Sequence, residues 1–391
     1  MESFKGFRRP VGHPGIRNHV ILIANCSCAG GMIDQIAEAV PEAIPMRHAV
    51  GCSSPGEFDR WHMVLMGVCS NPNVYGAVII GVGCETFNAR EVAAEVRANT
   101  HKPTFGAIVQ EDGGAEAVIE AGVQAARKMV SEARRCRRED FPVSELVVGT
   151  ECGGSDALSG VTANPVIGEI SDWVVKNRGT VLLSEVAEFI GTEHLLAARA
   201  SSRELGERII SMVLHEEKEI RKIMGDESSR IIAVGNMEGG LSTIQEKALG
   251  CIRKGGTSRI EGLIDYGEPV NERNGLLIMY GPGYDPVSLT GLFASGAQII
   301  LYSTGRGNPL GFPAAPCIKI CSNSRTFFQF EGQDTDFDLN AGAIAEGEVS
   351  LEEYSKTAVK YFLKICSGDL SVPEKKKYGG VMCVYQNTPP F

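Results

Sequence analysis

Basic charge is in short supply. Thirty-eight lysines and arginines face 48 aspartates and glutamates, which leaves a formal charge of −10. Affinity for a phosphate backbone is carried largely by clustered Lys and Arg, so a nucleic-acid surface is excluded. The two basic runs, residues 134–138 and 375–377, are short and read as solvated faces. Long apolar runs are missing too: the longest, residues 21–24 and 77–82, are strand-sized and far below the roughly 20 residues of a membrane helix. The N-terminal stretch carries charge with no apolar region behind it, so no secretory signal is expected and the cytoplasm is the expected compartment. Also absent are a CxxC pair, a P-loop Gly-Lys-Ser/Thr, a complete dinucleotide fingerprint, a fixed-period repeat and a low-complexity tract. These absences disfavour a zinc knuckle, ATP hydrolysis and a nicotinamide cofactor.

What is present is an ordinary globular composition, 43% hydrophobic over 391 residues, long enough for two domains. Strand-like runs alternate with helix-like segments throughout, which predicts an α/β fold, doubly wound, with mostly parallel sheets in two packed domains. Strands are expected at residues 19–26, 44–49, 75–82, 103–109, 146–150, 180–184, 230–234, 258–266, 275–280 and 298–303. Helices are expected between them, including 114–135, 166–177, 241–253, 287–295 and 351–364. The charged segment 134–145 ends near a proline and is the best boundary, giving domains at 1–140 and 141–391. Twelve cysteines without a signal peptide read as reduced thiols. Cys26, Cys52, Cys84 and Cys152 follow strand-like stretches among polar or glycine residues, whereas Cys69, Cys251, Cys317, Cys366 and Cys383 lie in apolar company and read as core.

Ligands in open α/β sheets collect beyond the carboxyl ends of strands, and the unusual residues cluster there: NCSCAGG, RHAVGC, GVGCE, ECGGSDALSGVTANP, SEVAEFIGTEH, AVGNMEGG, YGPGYDP and STGRGNPLG. Cys26, His48, Cys52 and Cys84, with Glu85 beside the last, read either as borderline-soft donors suited to Fe(II), Zn or Mn or as satisfied, partly buried side chains at tight turns, the spacing alone being a weak metal signal. In residues 151–165, Ser155, Asp156, Ser159, Thr162 and Asn164 can face a polyol or carboxylate. The same stretch also reads as a helix start, with Asp156 or Asn164 as cap and Pro165 in the first turn. Glu185, Glu188, Glu193 and His194 put three carboxylates and an imidazole within eleven residues of Ser184, a reservoir for acid/base work or a solvated helix start. Arg306, between two glycines, offers a guanidinium to an anion. Asp334, Asp336 and Asp338 alternate and could hold a hard cation or simply be solvated.

Taken in order, the segments GFRRPVGHPGIRN, NCSCAG, His48 with Gly51-Cys52, GVGCE, CGGSDALSGVTANP, SEVAEFIGTEHLLAARA, EGGLSTIQEKALG, PGYDPVSLTG, STGRGN and FDLNAG resemble the altronate and galactarate dehydratase family over residues 6–342. The resemblance implies a lyase that removes the proton beside the carboxylate of a 2-hydroxy acid, expels a group from C3 and releases a 2-oxo acid. It also implies a divalent metal, Fe(II) or Mn. An α-proton next to a carboxylate leaves only if a cation stabilises the resulting enediolate.

Family members that act alone carry a small domain before the GFRRP-like segment, so a separate small subunit is expected here, in an oligomer. The opening PVGHPGIRN also departs from the Asp-Gly-Arg run of many relatives, which puts the role of Arg8 and Arg9 in question. Two-subunit members include altronate-type dehydratases and the (2R)-sulfolactate sulfo-lyase, which expels sulfite. From the chemistry of the side chains rather than from the resemblance, the metal ligands are expected among Cys26, His48, Cys52, Cys84 and Cys152. Acid/base groups are expected among Glu85, Glu185, Glu188 and His194, and substrate contacts among Arg17, Asn18, Ser155, Asp156, Thr162, Asn164 and Arg306. A sugar-acid dehydratase is the leading expectation and the sulfo-lyase the alternative. A non-catalytic sugar-acid sensor and an iron-sulfur protein are the readings outside the lyase class.

Overall fold

A computed structural model describes residues 2–51, 58–225, 231–271, 273–329 and 335–385. Its strands, in chain order, are β1 (Ser3–Gly6), β2 (His19–Ala24), β3 (Ile44–Met46), β4 (Val74–Gly81), β5 (Thr104–Ile108), β6 (Glu139–Pro142), β7 (Val147–Cys152), β8 (Thr180–Leu183), β9 (Ile260–Ile264), β10 (Gly275–Met279), β11 (Ile299–Thr304), β12 (Cys317–Cys321) and β13 (Leu339–Asn340). They form a four-stranded parallel sheet in the order β3-β2-β4-β5 and a seven-stranded parallel sheet in the order β13-β12-β11-β7-β8-β10-β9. The fold is thus α/β with helices on the sheet faces. Every residue of β7, β8, β10, β11 and β12 is buried. Strands covered on both sides lose the in-out alternation of a half-exposed sheet, which is why β8 and β10 read as near-continuous apolar runs.

The two sheets share one apolar core. Helix Phe58–Ser70 packs on helix Asp285–Ala294, and Trp61, Val64, Leu65 and Val68 join Leu289, Leu292, Phe293 and Ile300 in a single cluster. Topology places two crevices at strand ends. In the larger sheet the chain leaves β7 toward β8 and later crosses to β11 on the other side, so the connections after β7 and β11 diverge. In the smaller sheet β3 and β4 flank β2 and open the same kind of crevice.

Several expectations are corrected. The strand expected at 230–234 is not formed over its described residues: Val234–Glu238 is a turn of helix with Val234 on the surface. Strand β12 was not anticipated, because Lys319 interrupts CIKIC. That lysine is fully buried, its ammonium 3.0 Å from the centre of the Tyr302 ring and bonded to the Leu310 carbonyl at 2.9 Å. The antiparallel pair β1–β6 was also missed. The run 134–138 is not wholly solvated, since Arg138 lies over the Phe7 ring at 4.6 Å and donates to the Lys5 and Ile16 carbonyls. Helix Ala163–Lys176 begins earlier than expected, with Thr162 at its cap position and no side-chain cap, so neither Asp156 nor Asn164 caps it. Among the described residues no helix is long and apolar enough to cross a membrane.

Arg17 ties the N-terminal segment to the C-terminal helices. Its guanidinium donates to both Glu374 carboxylate oxygens, at 2.7 and 2.8 Å, and to the carbonyls of Ile16, Ile365 and Asp369. Burial opposes ionisation of Glu374, but the hydrogen bonds and charge of Arg17 win and hold its pKa below the ordinary carboxylate value. A depressed carboxylate contributes stability above its unfolded pKa and loses it as pH falls through the folded one. Glu374→Gln, which strips Arg17 of its counter-charge, is expected to cost about 3–5 kcal/mol at neutral pH. Urea unfolding checks this, and the gap from wild type should narrow in acid.

Candidate functional site

The densest charged cluster sits beyond the carboxyl ends of β7 and β8. Strand β7 ends in Glu151 and Cys152, and the chain after β8 turns at Glu185, whose φ of 72° lies in the left-handed region. A non-glycine residue there costs on the order of 1–3 kcal/mol. The turn feeds a short 3-10 segment, Val186–Phe189, that carries Glu188. A second element meets it. Helix Ile244–Cys251 is started by Thr243, whose hydroxyl accepts from the Glu246 amide, and continues into a 3-10 turn, Ile252–Gly255. Residues four and three apart share a helix face, so Lys247, Cys251 and Lys254 point together at the strand ends.

The contacts are short and buried. Lys247 Nζ meets Glu188 Oε1 at 2.8 Å and donates to Ser155 Oγ at 3.3 Å. Lys254 forms an ion pair with Glu185, with neither side chain reachable by solvent. Cys152 Sγ lies 3.0 Å from Glu188 Oε2 and 3.7 Å from Glu185 Oε1, while its amide donates to Glu185 at 3.2 Å. Glu151 accepts from Ser288 Oγ at 2.5 Å, and its other oxygen is buried without a partner among the described residues.

These surroundings set the proton positions. The Cys251 thiol hydrogen bond, with Lys254 and Lys247 outweighing burial, holds Cys152 well below the ordinary thiol pKa. Burial and then the charge of Cys152 push Glu188 up to about 7 against the pull of both lysines. Lys254 stays an ammonium because Cys152, Cys251, Glu185 and Glu188 outweigh its burial. A carboxyl poised near neutrality beside a fixed ammonium suits proton transfer.

Two cavities meet at this cluster. One of about 570 Å³ is lined by Cys152, Gly153, Glu188, Asn236, Lys247 and Asp285. The other, of about 480 Å³, is lined by Cys152, Ser155, Asp156, Asn164, Lys247 and Arg253. Both are large enough for a small acid.

The donor set also suits a metal. One donor atom from each of Cys152, Glu185, Glu188 and Cys251 lies within 4.8 Å of the others. Ligands at 2.0–2.3 Å from one ion lie at roughly such separations, and two thiols with two carboxylates match a borderline divalent ion.

Of the residues expected from sequence, the structure gathers Cys152, Glu188, Ser155, Asp156 and Asn164 around these cavities, with Glu185 buried against Cys152. Asp156 accepts from Ser159, Ser322 and Asn323, and Asn164 is held by Ser303 and the Gly250 carbonyl. Thr162 donates to the Leu158 and Ser322 carbonyls. Arg306 pairs with Glu238 at 2.8 Å on the surface, and His194 is exposed. Arg17 spends its donors on Glu374 and backbone carbonyls, and Asn18 bridges Arg9 and the Ala133 carbonyl.

Cys26, His48, Cys84 and Glu85 lie at the smaller sheet instead, and Cys52 falls outside the described residues. Both His48 ring nitrogens are engaged, one with the Ala24 carbonyl at 2.8 Å and one with the Val50 amide at 3.1 Å. Burial of Glu85 is outweighed by hydrogen bonds at the turn after β4, with those from the Gly83 amide, its own amide, Asn25 and the Cys84 amide lowering its pKa. Sequence reasoning missed Lys247 and Lys254, while Cys251, expected in the core, is buried there and also reaches the cluster. The signal was the spacing K-x3-C-x2-K at the end of the helix.

The chain resembles known proteins along nearly its whole length. Residues 143–388 match the C-terminal domain described as D-galactarate/altronate dehydratase, and residues 6–134 match the second domain described as D-galactarate dehydratase/altronate hydrolase. It is 32% identical to the altronate dehydratase of Bacillus subtilis over 388 residues, covering 96% of this chain and 76% of that protein. It is 33% identical to the (2R)-sulfolactate sulfo-lyase subunit beta of Chromohalobacter salexigens, covering 94% and 93% respectively. A galactarate dehydratase (L-threo-forming) of Escherichia coli is 32% identical, with 94% and 73% covered. With both domains matched in order and the cluster formed by its C-terminal part, the chain belongs to the D-galactarate/altronate dehydratase family and is a lyase.

Proposed function

We propose that the chain converts a small anionic 2-hydroxy acid to a 2-oxo acid by eliminating the group on C3, as a sugar-acid dehydratase of the altronate/galactarate type. The observation that carries this reading is Glu188: a buried carboxyl held near neutrality, on the wall of a substrate-sized cavity, against the Lys247 ammonium. In this reading Glu188 takes the C2 proton. Lys247 and Ser155 bind the substrate carboxylate, and the ammonium, already desolvated, stabilises the negative charge that spreads onto it. Cys152, Glu185 and Cys251 would hold a divalent ion, Fe(II) or Mn, leaving cavity-facing Glu188 for the proton. When bound, such an ion supplies Lewis-acid charge next to the substrate oxygens. Asp156 and Asn164, fixed by their own hydrogen bonds, would line the polyol end of the substrate.

The sulfo-lyase relative supports a second reading in which sulfite leaves C3, and its name as a subunit supports a small second chain as partner. The cytoplasm is the proposed compartment. The test is an anaerobic assay with Fe(II) and the small partner, offering altronate, galactarate and sulfolactate in parallel and following 2-oxo acid and sulfite separately. Oxo acid without sulfite is expected. Sulfite in step with pyruvate would give the second reading, and silence on all three would refute both. Chelation with EDTA is expected to abolish turnover, and Fe(II) to restore it. Turnover untouched by chelation, with no metal in the protein by mass spectrometry, would remove the ion from the account.

A further inference from the structure

Elimination of hydroxide from C3 needs more than a base at C2, because hydroxide is a poor leaving group until it is protonated. A second carboxyl, Asp285, in the first turn of helix Asp285–Ala294, lines the same cavity as Glu188. An acid there could serve the helix alone, but Asp285 is built in from elsewhere. Its Oδ2 accepts from the Tyr302 hydroxyl and from Asn308 Nδ2, both at 2.6 Å, and those two groups lie 2.7 Å apart. Asn308 is itself set by Thr304, whose hydroxyl takes the amides of Gly307 and Asn308. That gives the STGRGN segment a role that the surface pair of Arg306 does not.

The backbone of the β7 exit is shaped around the trio. A Cβ on Gly153 would fall 2.0 Å from the Tyr302 hydroxyl, 2.3 Å from Asp285 Oδ2 and 2.7 Å from Asn308 Nδ2. Over the face of the tyrosine ring sits the buried Lys319 Nζ, whose pKa burial lowers to about 7. Both bonds fall on Oδ2, and Oδ1 carries none among the described residues, so the carboxyl is aimed with one oxygen left for a ligand. Burial, the leading influence, also raises the pKa of Asp285.

We propose that Asp285 is the second catalytic carboxyl of the elimination, delivering a proton to the C3 hydroxyl as it leaves, with Tyr302 and Asn308 as its positioning residues. The inference rests on the reading of Glu188 as the base. As Glu188 takes the C2 proton, the C2–H electron pair becomes the C2=C3 bond. The C3–O pair departs with oxygen, which takes the Asp285 proton and leaves as water. Glu188 ends as the acid and Asp285 as the carboxylate, and solvent returns the proton between them. The enol then tautomerises to the 2-oxo acid. Sulfite departs as a stable anion and needs no such proton, so Asp285 matters for loss of water and not for loss of sulfite.

The test uses the full chain with its partner and Fe(II), comparing wild type, Asp285→Asn and Tyr302→Phe in D2O with altronate and galactarate. Dehydration by Asp285→Asn is expected to fall by about 10²–10⁴-fold while exchange of the C2 hydrogen with solvent continues. Tyr302→Phe should lower kcat with little change in KM. Full dehydration by Asp285→Asn would overturn the proposal alone, as would loss of exchange together with dehydration in a variant of native circular dichroism. Wild type inactive on these acids, or active only on sulfolactate, would overturn the parent dehydratase reading and the proposal with it.

Discussion

Glu188→Gln is expected to lower kcat by about 10²–10⁴-fold and leave KM within a few-fold of wild type. The glutamine oxygen can still accept from Lys247, so the wall of the cavity is preserved while the proton acceptor is lost. The pH profile gives the matching sign. A base works unprotonated, so kcat/KM should fall as pH drops through about 7, where burial and the Cys152 charge place Glu188. That acid limb should vanish from the residual activity of the variant. Steady-state kinetics between pH 5 and 9 checks both, and a variant with wild-type kcat would remove Glu188 from the chemistry.

The second large effect concerns stability. Lys254 and Glu185 are wholly buried and paired. Burial and then the charges of Cys152, Glu151 and Glu188 push Glu185 well above the ordinary carboxylate pKa against the pull of Lys254, so Lys254→Met leaves a buried Glu185, held in a left-handed turn, without the ammonium that favours its ionised form. Breaking one side of such a pair costs about 3–5 kcal/mol, a large share of the roughly 5–15 kcal/mol that holds a domain together. Replacing both partners, Lys254→Met with Glu185→Leu, should recover most of that loss, because no unpaired charge remains. The double variant should nevertheless stay inactive. Chemical denaturation of the single and double variants reads the first expectation and turnover reads the second. A double variant no more stable than Lys254→Met would mean that the pair is not the source of the cost.

How far the sequence could be read follows from what each residue meets after folding. Strands β2 and β4 were legible because sheets covered on both faces demand mostly apolar strands, here of six and eight residues, and β7 and β11 because apolar, β-branched residues open them. Strand β12 was not, since the Lys319 stem is accommodated by the Tyr302 ring and a carbonyl that no local pattern foretells. The run at 230–234 has β-branched residues, but its described part pairs with no strand among the described residues, and its last residue begins a helical turn.

For the site, the carboxylates after β8 were legible as a cluster. Their partners were not, because Lys247, Cys251 and Lys254 come from a helix some sixty residues away, and only tertiary packing turns their shared face toward the strand ends. His48 shows the converse: four residues from Cys52 it has ligand-like spacing, yet the backbone at Ala24 and Val50 takes both its nitrogens.

The most direct test of where the chemistry lies is a paired measurement on Cys152→Ser and Cys26→Ser, taking metal bound per chain and turnover from the same anaerobic preparations. The account predicts that Cys152→Ser loses both, while Cys26→Ser keeps its metal and most of its activity. Loss of metal and turnover in Cys26→Ser, with Cys152→Ser intact, would contradict it and move the site to the ends of the four-stranded sheet.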